Sequence, residues 1–451
     1  MGCSCFAVAQ DSKNAVIIAA SQAEASAIFF NMNDVAVPLI LPSDFKDANE
    51  YHRRNGLPNF FAKAKAGKKL KIAYIGGSIT RSNNMYRLQS AKFIQNLFPK
   101  VRMEGINAGI SGTDADLGAC RFSEQVLKYQ PDLLFIEFAV NGGFAQGVEG
   151  IIRQAKNYNP KMDICLIYTV TSEQLILYKN GGIPLGIKKL DSIANHYEIT
   201  SIHMAKEAAF LASTGKLIEK GNPKAETDKI VFSTDGVHPT TAGGDLYAAA
   251  IGRTLKNLVN FKGRVSSEIP PPLFLDNWED AHMLEPLSAA KFSEGWQKVD
   301  PKTIGFSQYA SWFPYIMKAE KAGENFSFTF KGSMFGIFDI GGPEVGQLEM
   351  LVDGKTVKLL KQGTNRCKIV DGNGDKLNRF NAFCNNRYRG QFINIELPAG
   401  KHTVSFKISD EIPDKKKILG KNQLEDITAN PEKYNSSAIY IGQILIRGII
   451  L

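Results

Sequence analysis

One stretch constrains the fold of this 451-residue chain more than any other, KIAYIGGSIT at residues 71–80. Its first five residues predict a buried strand, two glycines break that strand, and helical spacing begins near Met85. A strand, a glycine turn, a polar residue and a helix are how an α/β sheet presents a nucleophile or a phosphate. The phosphate alternative is weak, because a G-x-x-x-x-G-K-[ST] loop and the third glycine of a dinucleotide fingerprint are missing. Ser78 is therefore either a nucleophile or the capping serine of a tight turn.

Composition narrows the class of protein. Hydrophobic residues make up 44% and charged residues 22%, which is typical of a globular protein. The net charge of +9 favours acidic surfaces or anionic polymers as neighbours, but no compact basic block with interleaved aromatic residues predicts nucleic-acid binding. No run of 18 apolar residues predicts a membrane span.

The six cysteines show no CxxC spacing that would predict a metal site. Cys120 and Cys165 lie in apolar runs and are expected to be buried free thiols. Cys367 and Cys384 share one β-rich region, which allows a disulfide between them.

Strand and helix patterns alternate from residue 71 to about residue 260. Strands are predicted at residues 71–75, 102–106, 132–139, 163–169 and 199–202. Helical stripes are predicted at Leu88 to Phe98, at Val148 to Ala155 and after His238. This alternation predicts a mostly parallel sheet with helices on both sides. The long connections at residues 171–187 and 213–234 are expected to line a site.

The chain divides into three parts at the level of sequence. Residues 1–66 are predicted to be an N-terminal arm, residues 67–262 an α/β domain and residues 270–451 a β-sandwich. The sandwich is predicted from short alternating segments and the hairpin signal Asp353-Gly354, and a proline-rich linker precedes it.

The arm itself carries two expectations. Residues 1–12 resemble the tail of a clipped bacterial signal peptide, which we favour over the start of an acylated protein. The apolar runs that follow must be buried, so we expect residues 25–45 to add a strand to the C-terminal sandwich.

Three further pieces supply what Ser78 needs for chemistry. Gly112 lies in a glycine-containing loop after strand 102–106, where backbone N–H groups are free to point into a cleft. Asn141 closes strand 132–139 with a side-chain amide. Asp235 precedes His238 by three residues, so its carboxylate can accept a hydrogen bond from the imidazole. Each piece alone is weak, since loop glycines usually mark turns and a lone histidine is usually structural. In this order and at the ends of strands, they are the parts of an acyl-transfer site.

These four blocks resemble those of the SGNH hydrolases, also called GDSL-type esterases and lipases, over about residues 68–260. The resemblance implies a flavodoxin-like three-layer α/β/α fold, followed here by the jelly-roll-like sandwich. It implies that Ser78 is the nucleophile, with Asp235 and His238 as its partners. It also implies an oxyanion hole from the N–H groups of Ser78 and Gly112 and the amide of Asn141, with no metal or cofactor. One departure concerns local loop geometry, because Gly142 stands where the family usually has aspartate.

The Gly-Gly-Ser-Ile-Thr block with an appended sandwich resembles carbohydrate esterases that deacetylate polysaccharides. This implies an acetylated carbohydrate as substrate and, with the signal-like start, a secreted or periplasmic location; the oligomeric state stays open. One alternative is a lipase or thioesterase, although the two long connections are mixed in polarity rather than apolar. A second alternative is a glycan-binding protein with a degenerate esterase domain, against which the intact site residues argue.

Other polar and aromatic candidates have simpler interpretations. Glu137 is expected to be a structural hydrogen-bond partner inside the sheet, and Asp114 or Asp116 a helix N-cap rather than a metal ligand. The tryptophans are expected to pack in the core, with a sugar-stacking platform as the alternative: Trp278, Trp296 and Trp312.

Overall fold

The computed structural model describes residues 16–22, 28–142, 144–226, 228–264, 268–372 and 374–451. The interpretation of residues 1–12 therefore lies outside the described residues. Among the described helices, none has the length and apolar character that a membrane crossing requires.

The first part of the chain, here called the α/β region, alternates strands and helices. Its strands are β1 (Phe29–Phe30), β2 (Tyr51–His52), β3 (Leu70–Gly76), β4 (Met103–Gly109), β5 (Leu133–Glu137), β6 (Asp163–Tyr168), β7 (Thr200–His203), β8 (Leu217–Lys220) and β9 (Ile230–Ser233). Its helices are α1 (Pro58–Lys65), α2 (Ser78–Arg81), α3 (Arg87–Leu97), α4 (Ala115–Gln125), α5 (Ala145–Tyr158), α6 (Ser172–Lys179), α7 (Leu185–His196), α8 (Lys206–Ser213) and α9 (Thr241–Leu258). The long connections predicted at 171–187 and 213–234 thus contain α6 and the parallel pair β8–β9 rather than open loops.

The central sheet has the strand order β1-β4-β3-β5-β6-β7-β2. Strands β4, β3, β5, β6 and β7 are parallel, and most of their side chains are buried on both faces, as the continuous apolar runs of β5 and β6 predict. The chain moves from β3 to β4 in one direction and then crosses to β5 on the other side of β3. Right-handed crossovers put α3, which packs with α9, on the opposite face from α4, α5 and α7.

The N-terminal arm supplies both edge strands of this sheet. Phe29–Phe30 pair antiparallel with β4, and Tyr51–His52 pair antiparallel with β7. The expectation that residues 25–45 add a strand to the C-terminal sandwich is therefore wrong for the described residues from 28 onward. The apolar run is buried on the nearer exposed edge, where its backbone completes the hydrogen bonding of β4. An earlier piece of the arm meets the C-terminal part instead, where Ile18 forms a bridge with Tyr388.

The C-terminal part, here called the β region, is predominantly antiparallel. Its strands are β10 (Ala281–Leu284), β11 (Lys291–Phe292), β12 (Gln297–Val299), β13 (Ile316–Ala319), β14 (Asn325–Gly341), β15 (Gln347–Val352), β16 (Lys355–Thr356), β17 (Lys358–Lys361), β18 (Arg366–Val370), β19 (Leu377–Asn378), β20 (Arg389–Ile408) and β21 (Ile439–Ile450). Its short helices are α10 (Pro286–Ala289), α11 (Lys415–Leu419) and α12 (Glu425–Ala429). The prediction of an α/β fold followed by an antiparallel β fold is confirmed.

The long strand β14 bends so that its sheet packs on itself. Phe328 and Phe335 lie seven residues apart with opposite side-chain parity, so a straight strand would separate them by about 23 Å on opposite faces. Their ring centroids are instead 6.3 Å apart, and Phe335 also contacts Phe406 of the paired strand β20. A register irregularity between Gly332 and Met334 makes the bend.

Core packing accounts for the tryptophans and the cysteines. Trp278, Trp296 and Trp312 are all buried, so core packing is confirmed over a sugar-stacking platform. The described cysteines are buried free thiols, and no disulfide joins Cys367 to Cys384. They are Cys120, Cys165, Cys367 and Cys384.

Candidate active site

Ser78 lies at the turn where β3 ends and the short helix α2 begins, beside the point where the strand order reverses. Both glycines before it allow close approaches. A Cβ on Gly76 would lie 2.1 Å from Thr80 Oγ1 and 2.6 Å from the carbonyl oxygen of Glu137. A Cβ on Gly77 would lie 2.6 Å from the amide atoms of Asn141. Close packing therefore requires glycine at both positions, and the contact of Gly77 with Asn141 places this amide next to Ser78.

Ser78, His238 and Asp235 form a continuous hydrogen-bonded line. Ser78 Oγ lies 2.7 Å from His238 Nε2, and His238 Nδ1 lies 2.6 Å from Asp235 Oδ2. The second carboxylate oxygen, Oδ1, accepts hydrogen bonds from the backbone N–H groups of Val237 and His238, each at 2.8 Å. These hydrogen bonds hold the carboxylate beside His238 Nδ1. The imidazole is therefore oriented by contacts within residues 235–238.

Hydrogen bonds stabilise the negative charge of the Asp235 carboxylate. Partial burial by itself would raise the pKa of this carboxyl, but the hydrogen bonds from the His238 ring and from the His238 and Val237 backbone lower the pKa well below its usual range. The aspartate is therefore a fixed anion facing Nδ1, which favours the tautomer that leaves Nε2 free to accept a proton.

Gly112 and Asn141 lie on the two sides of Ser78, in the loops that follow β4 and β5. Gly112 has φ +75°, a left-handed conformation that glycine adopts without strain. The N–H groups of Ser78 and Gly112 donate no hydrogen bond to another described residue. Packing against Gly77 holds the amide of Asn141 in place, and its Nδ2, the donor of this amide, makes no hydrogen bond to another described residue. These donors are available to a negatively charged oxygen beside Ser78.

The carboxylates near this line have the structural roles that the sequence predicts. Glu137 is fully buried and accepts hydrogen bonds from Thr80 Oγ1 at 2.9 Å and Thr169 Oγ1 at 2.5 Å. Burial raises its pKa, although these hydrogen bonds oppose the shift. Asp114 caps α4 by accepting from the N–H of Leu117 at 3.1 Å.

Two residues beside the site carry no sequence signal. Gln22 of the arm is 2% exposed and donates from Nε2 to the carbonyl oxygens of Ser111 at 3.2 Å and Gly390 at 3.1 Å. Its Oε1 accepts from the N–H of Gly390 at 2.8 Å. Arg389 of the β region reaches Gly112 so closely that a Cβ on this glycine would lie 3.0 Å from Arg389 Nη2. The β region therefore forms part of the wall of the site.

A separate cluster of His52, Asp191 and His203 has ligand atoms within 4.8 Å of one another. Its carboxylate is already engaged, since Asp191 Oδ1 accepts from Arg54 at 3.0 Å and from Ser201 Oγ at 2.7 Å. Burial lowers the pKa of His203 to about 4. These contacts connect β2 to β7 and α7, so the cluster is explained by a structural role rather than by metal binding.

Comparisons with known proteins locate the fold. Two solved structures of a two-domain esterase (CEX) active on acetylated mannans are similar along 89% of this chain. One has 20% identity, a TM-score of 0.63 and 98% of its own chain covered. The other, co-crystallized with mannopentaose, has 18% identity, a TM-score of 0.64 and 97% covered. The acetylxylan esterase Axe2 from Geobacillus stearothermophilus matches 43% of this chain and 94% of its own, with 20% identity and a TM-score of 0.32.

No family model matches the sequence, and no curated protein matches it. At 18–20% identity the two-domain structures show a shared fold and nothing more, and the TM-score of the third is too low to support an argument. The fold of this chain is therefore that of a two-domain α/β and antiparallel β protein, with Ser78, His238 and Asp235 in line at the carboxyl ends of the parallel strands.

Proposed function

We propose that this chain is a serine esterase of the SGNH type that removes acetyl groups from O-acetylated polysaccharides or oligosaccharides. The observation that carries the proposal is the line from Ser78 Oγ to His238 Nε2 at 2.7 Å and from His238 Nδ1 to Asp235 Oδ2 at 2.6 Å. A hydroxyl, an imidazole and a fixed carboxylate in this order are the parts of an activated nucleophile.

Acylation starts with attack of Ser78 Oγ on the acetyl carbonyl carbon. His238 Nε2 takes the hydroxyl proton as the new C–O bond forms. Asp235 keeps the Nδ1 proton in place and offsets the positive charge that the ring acquires. His238 then gives the proton to the departing sugar oxygen, and the acetyl group stays on Ser78.

The negative charge that develops on the carbonyl oxygen is met by the N–H groups of Ser78 and Gly112 and the amide of Asn141. Each such donor contributes about 3 kcal/mol of transition-state stabilisation in acyl-transfer sites. Because the N–H groups of Ser78 and Gly112 have no other described acceptor, neither must break an internal hydrogen bond when the oxyanion forms.

Deacylation repeats the chemistry with water in place of Ser78. His238 removes a proton from the water as its oxygen attacks the acetyl-serine carbonyl, and then returns the proton to Ser78 Oγ. Acetate leaves, and the free serine is restored.

The acetylated-carbohydrate part of the proposal is supported by the solved structures of similar fold, whose esterase is active on acetylated mannans. A polysaccharide substrate is consistent with a secreted or periplasmic location, which is part of the proposal. We also propose that the chain consists of an esterase domain at residues 67–262 and a β-sandwich domain at residues 270–451.

The purified protein tests this function with esters of increasing chain length. We expect hydrolysis of p-nitrophenyl acetate, slower hydrolysis of p-nitrophenyl octanoate, and release of acetate from an acetylated polysaccharide. A preference for the octanoate would favour the lipase alternative. Absence of hydrolysis of every ester by folded protein, together with binding of glycan, would favour the glycan-binding alternative.

A further inference from the structure

A cleft of about 640 Å³ opens beside the candidate active site, on the face of the β region. Gly112 lies at its edge, and the rest of the described wall belongs to the β region. Arg389 and Phe383 are part of this wall, and Phe383 is 61% exposed. A chain that presents an ester to Ser78 can therefore continue into a cleft that the α/β region does not build.

Arg389 is the unusual group in this cleft. Its side chain makes no hydrogen bond or ion pair to another described residue, and its Nε is buried without a partner. Its described contact is with an aromatic ring, since its guanidinium carbon lies 4.7 Å from the centroid of Phe383. Burial lowers its pKa, although nearby Cys384 and Tyr309 oppose this shift. A partly buried cation without a counter-ion is costly, and an anion that enters the cleft would remove that cost.

The other charged groups of the cleft are mostly neutralised within the protein. Arg379 is paired with Asp339 at 2.6 Å, and Lys376 is paired with Glu411 at 2.8 Å. Asp375 is the exception among the described wall residues: its carboxylate accepts a hydrogen bond from the N–H of Leu359 at 2.7 Å but has no ion pair, so it opposes an anion that enters the cleft. The exposed Lys361 adds a second cation for which the described residues supply no ion pair.

The position of Arg389 relative to the reaction is fixed by the arm. The next residue, Gly390, exchanges two hydrogen bonds with the side chain of Gln22, which also donates to the carbonyl oxygen of Ser111. Ser111 precedes Gly112. A buried side chain thus holds the backbone at Arg389 against the loop of the proposed oxyanion hole.

We propose that Arg389 forms a subsite for a sugar carboxylate next to the acetylated sugar, so that the substrates are acetylated polysaccharides containing uronic acid. The guanidinium fork matches a carboxylate with two parallel N–H groups, whereas a sugar hydroxyl takes only one. Phe383 offers its face to the apolar side of a sugar ring. This proposal rests on the proposed function for the place of the reacting ester, but its test by binding does not require catalysis.

Isothermal titration of the full-length protein with two unacetylated probes tests the subsite. We expect trigalacturonate to bind at least ten times more tightly than mannopentaose at 50 mM salt and to weaken as salt is raised. Arg389→Gln should weaken trigalacturonate at least tenfold and mannopentaose less than twofold, and Arg389→Lys should give an intermediate loss for trigalacturonate. Arg102→Gln is the control of equal charge change, because Arg102 is exposed and precedes β4, at the opposite end of the sheet from the site.

The outcomes separate this proposal from the function beneath it. An equal loss for both probes in Arg389→Gln would make Arg389 a ligand for hydroxyls and overturn the carboxylate subsite. Wild-type protein that binds trigalacturonate no better than mannopentaose would overturn it as well. Arg389→Lys supplies the comparison if thermal melting shows that Arg389→Gln does not fold. If the protein hydrolyses no ester but still binds trigalacturonate through Arg389, the esterase proposal is overturned and the carboxylate subsite is supported.

Discussion

Besides His52–Asp191, the described residues contain two histidine–aspartate pairs, one in each region, whose contacts at Nδ1 are nearly the same. His238 Nδ1 lies 2.6 Å from Asp235 Oδ2 in the α/β region, and His402 Nδ1 lies 2.8 Å from Asp353 Oδ2 in the β region. Asp235 also accepts from two backbone N–H groups and Asp353 from one. Burial alone would raise the pKa of both carboxyls, but the hydrogen bonds from the histidine ring and the backbone together lower it. The pairing alone therefore does not identify a catalytic site.

The difference lies at the other ring nitrogen. His238 Nε2 faces the hydroxyl of Ser78, a group that can donate a proton. His402 Nε2 faces the carbonyl oxygen of Pro398 at 2.9 Å, a group that can only accept. Both partners of the His402 ring are acceptors, so neither is a hydroxyl whose proton the ring could take. The chemistry of the Nε2 partner, rather than the pair, separates the candidate catalytic histidine from a structural one.

Removal of the hydroxyl partner should have the largest effect. Ser78→Ala is expected to lower kcat for p-nitrophenyl acetate by about 10⁴-fold or more, because the nucleophile is lost while the fold is kept. Ser192→Ala is the matched control, since Ser192 Oγ donates within its own helix to the Lys189 carbonyl oxygen. Retention of more than about a hundredth of the wild-type kcat would remove Ser78 as nucleophile.

The two aspartates allow a direct test of the comparison. Asp235→Asn should lower kcat by roughly 10³–10⁴-fold, because an amide no longer enforces the tautomer that leaves Nε2 free. Asp353→Asn makes the same chemical change in the other pair and should leave kcat within about twofold of wild type. Similar losses in both variants would contradict the assignment and point to a general effect on folding.

The oxyanion side of the site should respond less strongly. Asn141→Ala is expected to lower kcat by roughly 10²–10³-fold with little change in KM, because the amide acts on charge that develops only in the transition state. Asn180→Ala, at the exposed end of α6, is the control. If KM rises while kcat stays constant, Asn141 binds substrate in its ground state instead.

Gln22 tests the contact between the two regions, because it joins the loop of Ser111 and Gly112 to Gly390 of the β region. Gln22→Ala leaves two carbonyl groups and one N–H group without their partner, so we expect a loss of about 1–3 kcal/mol in the free energy of unfolding. Denaturant titration of variant and wild type measures the loss. An unchanged midpoint would mean that Gln22 does not hold Ser111 to Gly390 in solution.

The smallest effect is expected at the structural histidine. His402→Gln should leave ester hydrolysis unchanged and lower the free energy of unfolding by about 1 kcal/mol, the value of an ordinary hydrogen bond. A large loss of activity with a normal melting temperature would show that His402 contributes to catalysis. It would contradict the conclusion that the partner of Nε2 separates the catalytic histidine from the structural one.

The strands around the site could be predicted from sequence because each has a strong local signal. The apolar runs that predict β3, β5 and β6 are buried on both faces, and the glycines that end β3 are required by close contacts with Thr80, Glu137 and Asn141. Parallel strands bring all their carboxyl ends to one edge, so the alternation of strands and helices predicts that Ser78, Gly112 and Asn141 converge. Asp235 and His238 instead follow β9, which pairs with β8 outside the central sheet, so their approach to Ser78 was decided by the tertiary structure. The Asp235–His238 turn itself is local.

Other contacts were decided only by the tertiary structure. The arm carries apolar runs that demand burial, but two sheets offer edges, and local sequence does not say that Phe29–Phe30 pair with β4. Gln22 and Gly390 are 368 residues apart, and a lone glutamine has no period or motif that would predict their contact. The same holds for Arg389 beside Gly112. Sequence patterns report on neighbours within a few turns of chain, whereas the packing of one region on another depends on the shape that both have already adopted.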